Sequence, residues 1–410
     1  MSLKNRANLV TVILCSSIFA AALPLVSRAT DKADSIRGYQ QSLIKNEITG
    51  SNVVMIYRDG KRAYFQAVQS GKTGDRDINA STLFPVWSMT KPITIVAMMK
   101  LYEQGKFDWD DEVSDYIPCM ASLTWRDGDE IKPSTKPLRV IHLMTHRSGW
   151  RYNTHREYGP VYSPNFAFDS AYPNQTRFND LQSFVESCAK EPLEFEPGTK
   201  YLYGINQAIL GRLIEVLTEM PFEAYLRKSI FEPLGMKDTS FSLDAERRAR
   251  FQPLWINSGH LKGYTHLLDE MTYDPKSRAH FGGEGLVSSM EDYARFCEML
   301  AHEGVFRGKR IISQKSISTM TARWSKGYPD EPNSFPPIRG YTNGFSFFVL
   351  DDPSVHEQNV PRGIYGWGGY HNTHFWIDPT NRQFGLFMSR ARAFNWEVGV
   401  GLRKVVYADQ

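Results

Sequence analysis

The sequence predicts an α/β protein: an antiparallel sheet built from both chain ends, flanked by helices, with a mostly helical region inserted between them. Two observations predict it. Runs with β-type character cluster near residues 53–68 and again at 344–389, while the middle of the chain carries apolar residues at helical spacing. The composition fits as well: 410 residues with 41% apolar and 23% charged side chains can bury a large core. The α/β part is expected over about 30–110 and 275–410, and the helical part over about 111–274.

Residues 1–29 read as a secretory signal. Lys4 and Arg6 give the basic start. Leu9 to Leu23 is apolar but short and interrupted, and Ser27-Arg28-Ala29 has the small-x-small form of a cleavage site. Leu14 before Cys15 argues against a lipoprotein signal. The reading is export, to the periplasm or beyond, without lasting membrane insertion; an uncleaved anchor is the alternative. Cleavage would remove Lys4, Arg6 and Arg28 and no acid, so the formal charge of +3 falls to zero. A balanced chain points to neither nucleic acid nor an anionic membrane as partner.

Residues 31–48 form an amphipathic helix that stops at Gly50. Val53 to Ile56 and Ala63 to Val68 flank Asp59-Gly60, the signature of a tight hairpin. An apolar helix then runs from Ser88 to about Gly105. Leu138 to Met144 is a short helix closing in Thr145-His146-Arg147-Ser148-Gly149, with His146 read as a turn residue. Residues 150–180 are irregular and rich in Tyr, Asn and Pro, and are read as the wall of a cleft. Leu181 to Lys190, the stripe Leu210, Leu213, Ile214 and Leu217, and Phe222 to Ile230 are helical. Gly282-Gly283-Glu284-Gly285 lacks the spacing of a dinucleotide fingerprint and reads as close backbone packing before the helix Met290 to His302. Gly344 to Leu350, Thr373 to Ile377 and Phe384 to Ser389 read as strands, and 395–407 as a final helix.

Beyond the signal remain Cys119, Cys188 and Cys297. Their number is odd and their spacing matches no zinc pattern, and the chain has no His-Glu-x-x-His pair, so no metal is expected. Cys188 and Cys297 sit in helical patterns as buried thiols. Export would permit a Cys119–Cys188 bridge.

Chemistry concentrates at Ser88 and Lys91. Residues three apart share a helix face, so a hydroxyl and an ammonium stand side by side at the positive end of the helix. A serine needs such a neighbour to become a nucleophile. Ser42 with Lys45 and Ser187 with Lys190 have the same spacing, but in polar helices where a lysine is a solvated charge. Taken alone, the Ser88 segment reads equally well as a catalytic site and as a helix start. Two further segments join it: Tyr203 at a helix entrance, and Trp367-Gly368-Gly369-Tyr370.

In that order, these segments resemble the serine β-lactamase and penicillin-binding-protein superfamily, and within it the class C-like branch of esterases. The resemblance runs from about Ser51 to Ser389. It includes His142-Leu143-Met144-Thr145-His146-Arg147-Ser148-Gly149, Phe195-Glu196-Pro197-Gly198-Thr199 and Gly285-Leu286-Val287-Ser288-Ser289. It implies that Ser88 is the acylated nucleophile, that Lys91 eases its deprotonation, and that Tyr203 serves as base and then acid. A free tyrosine loses its proton near pH 10, so the role needs a cation beside it. The resemblance further implies oxyanion donors at the backbone of Ser88 and Tyr370, substrate contacts from Trp367, Gly368, Gly369 and His371, and no cofactor.

Two departures bear on substrate. β-Lactamases of the family read Tyr-x-Asn and Lys-Thr-Gly, where this chain has Tyr203-Gly204-Ile205 and Trp367-Gly368-Gly369. The expectation is a serine hydrolase of short-chain carboxylic esters. The alternatives are a peptidase or amidase, including D-amino-acid peptides and β-lactams, an acyltransferase, and an inactive binding protein on the same fold.

Overall fold

The computed structural model describes residues 23–152, 178–257, 259, 262–265, 273–325, 339–392 and 394–408. The first part of the expected signal, residues 1–22, and most of the expected cleft wall, residues 153–177, lie outside the described residues.

Helix α1 (Leu23–Lys45) leads into β1 (Asn52–Arg58) and β2 (Lys61–Val68). Asp59 and Gly60 between the strands both have positive φ, 52° and 73°. That is the turn whose twist matches a two-residue hairpin. Helix α2 (Thr90–Glu103) follows, and α3 (Val140–Met144), α4 (Leu181–Cys188) and α5 (Asn206–Thr218) are among the helices of the inserted region. Helix α6 (Met290–Ala301) returns the chain to the sheet. The strands β3 (Tyr341–Asn343), β4 (Phe348–Leu350), β5 (Tyr365–Gly369), β6 (Thr373–Asp378) and β7 (Gln383–Ser389) come next, and α7 (Trp396–Val406) ends the chain.

These seven strands form one antiparallel sheet in the order β3-β4-β5-β6-β7-β1-β2. The first and last parts of the chain meet where β1 pairs with β7, Val53 opposite Met388. The sheet is therefore drawn from both chain ends, as the sequence predicts. Side chains alternate across it. Val53 and Met55 face a core shared with α2 and α6, whereas Val54 and Ile56 face a second core closed by α1 and α7. Each large apolar side chain fully buried in these layers contributes roughly 1.5–3 kcal/mol. Helix α2 is covered on all sides: every residue from Thr90 to Met99 is buried, Lys91 among them.

Two short pairings fix the nucleophile region. Leu83–Pro85 runs antiparallel to Val287–Ser289, and the Val86 N–H donates to the Leu286 carbonyl at 2.9 Å. The chain entering Ser88 is thus tied to the chain leaving the Gly282–Gly285 crossing. Tyr365–Gly369, which holds Trp367, Gly368 and Gly369, forms strand β5, a strand outside the runs read as strands from the sequence. Its glycines lower β-propensity, but β4 and β6 pair with it on both sides. The hairpin Thr124–Asp127 and Glu130–Pro133 was not expected, because four-residue charged strands carry no readable period.

Cys119, Cys188 and Cys297 are free thiols, the last two buried, so the bridge that export would permit is not formed. Among the described residues no helix is long and apolar enough to cross a membrane.

Candidate active site

Ser88 lies in a single 3-10 turn, Trp87–Met89, at the mouth of α2. The residue before it is strained. Trp87 has φ +47°, a conformation that costs a bulky side chain on the order of 1–3 kcal/mol. Neighbours hold it there. Its indole N–H donates to His371 Nδ1 at 2.9 Å, and its ring packs edge-on against Tyr370 and His371, with centroids 5.3 and 5.0 Å away. The strain and its clamp aim Ser88 out of the turn.

Two groups converge on Ser88. The Tyr203 hydroxyl is hydrogen-bonded to Ser88 Oγ at 2.8 Å. Lys91 Nζ donates to the same oxygen at 3.2 Å. The Lys91 ammonium also donates to the Gly283 carbonyl at 2.6 Å and to the Tyr152 hydroxyl. It sits over the rings of Tyr152 and Tyr203, 5.0 and 4.9 Å from their centroids. Burying an ammonium is costly unless its protons are satisfied, and these acceptors and ring faces satisfy them.

Tyr203 is placed by its own surroundings. Its ring lies 5.0 Å from His146, 5.2 Å from Tyr152 and 5.9 Å from Trp367. Gly204 explains part of this fit, since a Cβ there would lie 2.0 Å from the Trp150 carbonyl oxygen. Only glycine lets the Trp150–Tyr152 segment approach Tyr203 so closely. Gly204→Ala is therefore expected to lose about 1–3 kcal/mol of stability by forcing these segments apart. Chemical denaturation reads the effect, and the midpoint should fall.

His146 is more than a turn residue. It is buried, with Nδ1 against the Asn206 amide at 3.0 Å and Nε2 against Ser346 Oγ at 3.0 Å. Burial first, and then the Lys91 charge, hold its imidazole neutral well below its usual titration range.

On the other side, β5 brings its C-terminal end against the Ser88 turn. A Cβ on Gly369 would lie 2.2 Å from the Val86 carbonyl oxygen, so glycine is required where strand and turn touch. Tyr370 follows at once, its ring against Trp87.

Residues 41–408 match the Beta-lactamase family. The chain belongs to that family. Its fold agrees with the solved structure of EstCE1, a hydrolase with promiscuous acyltransferase activity, at a TM-score of 0.73 and 21% identity, over 93% of this chain and 99% of that one. Protein Rv1367c of Mycobacterium tuberculosis is 27% identical over 76% of this chain and 80% of its own length. A putative D-alanyl-D-alanine carboxypeptidase of Salmonella paratyphi A is 30% identical over 59% of this chain and 56% of its own length. Members of the β-lactamase-fold family are serine hydrolases.

In this β-lactamase-family chain the structure brings Ser88, Lys91, Tyr203 and Trp367 together and sets Tyr370 and Gly369 beside them. It corrects two expected substrate contacts. His371 is fully buried behind Trp87 and supports the strained turn. Gly368 points to the other face of β5, where a Cβ would meet His374 and Trp396 at 3.1 Å. Strand alternation is the reason: Trp367 and Gly369 share the site face, and Gly368 does not. The sequence reading missed Tyr152, the Gly283 carbonyl and Glu284. The available signal was a lone acid inside a glycine-rich, otherwise apolar crossing.

Proposed function

We propose that this chain is an exported serine hydrolase that cleaves short-chain carboxylic esters through an acyl-enzyme on Ser88, without a cofactor. One observation carries the reading: Ser88 Oγ is bonded to both the Tyr203 hydroxyl, at 2.8 Å, and the buried Lys91 ammonium, at 3.2 Å. Tyr203, with the Lys91 side chain set over its ring, takes the serine proton as Oγ attacks the ester carbonyl. Backbone N–H groups of Ser88 and Tyr370 receive the oxyanion, an arrangement worth about 3 kcal/mol per donor. The intermediate collapses, the C–O bond to the alcohol breaks, and Tyr203 returns its proton to the leaving oxygen. Water, deprotonated by Tyr203, then attacks the acyl carbon, the bond to Ser88 Oγ breaks, Tyr203 returns the proton to Oγ, and the acid leaves.

The ester preference rests on the lining. Trp367 stands beside Tyr203, in the place where a lysine would hold a carboxylate, and Ile205 is a buried apolar residue. The two groups nearest in sequence that could replace that charge are engaged elsewhere. Arg362 is paired with Asp351 at 2.7 Å, and His371 is buried. A charge-assisted hydrogen bond to a carboxylate is worth about 1.5–3 kcal/mol, or roughly 10- to 150-fold. By that margin or more, p-nitrophenyl butyrate is expected to exceed nitrocefin in kcat/KM. A higher kcat/KM for nitrocefin would end the esterase reading.

A second reading has its own observation. The Arg392 guanidinium lies 5.9 Å from the centroid of the Tyr370 ring, beside the proposed oxyanion position. A cation there suits a substrate ending in a carboxylate, such as a D-amino-acid peptide. D-Alanyl-D-alanine peptides assayed beside the butyrate ester separate the two. Export is tested by intact mass: the mature protein is expected to begin near Thr30, and a product retaining Met1 would contradict it.

A further inference from the structure

Lys91 is surrounded by more than the reaction described above uses. An ammonium has three protons, and Lys91 directs them to Ser88 Oγ, the Gly283 carbonyl and the Tyr152 hydroxyl. Because the Tyr152 oxygen accepts from Lys91, its own O–H is left to donate onward. It does so to Glu284 Oε2, at 3.3 Å. The result is a directed chain, Lys91 N–H to Tyr152 O–H to the Glu284 carboxyl, with all three residues buried. Neither Tyr152 nor Glu284 touches Ser88 by any hydrogen bond of the structure.

A buried acid that hydrogen-bonds only through a tyrosine to a buried cation is a costly arrangement unless the two charges balance. The fold goes to some length to keep it. The Gly282 carbonyl accepts from Thr94 Oγ1 at 2.8 Å and the Leu286 N–H donates to Thr90 Oγ1 at 3.1 Å, so the crossing that carries Glu284 is fastened along α2 on both sides of the acid.

We propose that Tyr152 and Glu284 are positioning residues: the Glu284 carboxylate, reached through the Tyr152 hydroxyl, is the counter-charge that holds the Lys91 ammonium on Ser88. This rests on Ser88 being the nucleophile, as proposed above. Among the described residues, Lys91 on α2 and Tyr152 on the loop after α3 are the titratable groups set against Glu284. Tyr203 and His146 stand beyond Lys91, and His146 stays neutral well below its usual range. Burial pushes the Glu284 carboxyl up, and the Lys91 charge and the Tyr152 bond pull it partly back. The Lys91 charge and the Tyr152 bond both favour the ionised form, which is the counter-charge. It is lost on acidification at a pH above the ordinary glutamate value of about 4.3.

The rate at which a fluorophosphonate labels the protein, followed against pH, tests this without any choice of substrate. The wild-type rate should fall on acidification before the ordinary carboxylate range is reached. Glu284→Gln keeps the size of the side chain and removes its charge. It should label roughly 10- to 100-fold more slowly at neutral pH, the usual cost of removing a group that orients a site residue, and should lack that acidic fall. Tyr152→Phe keeps the ring and removes the bond that lowers the Glu284 carboxyl, so its acidic fall should move to higher pH. It decides the matter if Glu284→Gln does not fold. An acidic limb unchanged in both variants, or a slowdown equal at every pH, overturns the inference and leaves Ser88 as nucleophile. A wild-type protein that is not labelled at all overturns both.

Discussion

In Ser88→Ala, ester turnover and covalent labelling by a fluorophosphonate are both expected to disappear, with kcat falling on the order of a million-fold. The substitution removes the oxygen that both Tyr203 and Lys91 address. The fold should survive. Ser88 Oγ contributes hydrogen bonds each worth about 1 kcal/mol, and no apolar core atom is removed. A denaturation midpoint close to wild type, together with absent turnover, is the expected combination. Normal labelling of Ser88→Ala would place the nucleophile elsewhere.

The second large effect is at Tyr203 and Lys91. Tyr203→Phe keeps the ring contacts to His146, Tyr152 and Trp367 and removes only the hydroxyl proposed to receive the serine proton. Losing a general base costs about 100- to 10,000-fold, and the loss should fall on kcat, with KM little changed. Lys91→Ala should lose at least as much, since it removes the side chain bonded to Ser88 Oγ and set over the Tyr203 ring in the proposed proton-transfer unit. It should also cost stability. The Gly283 carbonyl and the Tyr152 hydroxyl lose a buried donor, at about 1–3 kcal/mol for each unsatisfied group. The double variant should be no worse than Lys91→Ala alone, because members of one proton-transfer unit fail together. Independent, multiplying losses would show that the two residues do not act as a unit. Steady-state kinetics on p-nitrophenyl butyrate measure all three proteins.

How much of this the sequence discloses depends on whether the physics is local. The hairpin around Asp59-Gly60 is legible because both turn residues must adopt positive φ. The alternation of Val53 to Ile56 across two cores is legible because a strand has a period of two. Ser88 and Lys91 are legible as neighbours because a helix turn fixes their spacing, and Tyr203 only through its resemblance to a family pattern. Tyr152 and Glu284 are not. They are 132 residues apart, and what joins them is the docking of the glycine crossing onto α2. The misplacing of Gly368 and His371 has the same origin. Both are adjacent in sequence to residues that face Ser88, but strand alternation and the Trp87 clamp turn them away from it. Strand β5 itself escaped notice because three of its five residues are glycine, and glycine gives no β signal.

The central claim is that Ser88, activated between Tyr203 and Lys91, carries the acyl group. It is tested most directly by acid-quenching the wild-type enzyme during turnover of p-nitrophenyl butyrate and mapping the digest by mass spectrometry. The expected result is a burst of p-nitrophenol and a butyryl group on the peptide that contains Ser88, absent from Ser88→Ala. Turnover with no acylated peptide, or with the acyl group on another residue, would contradict the account.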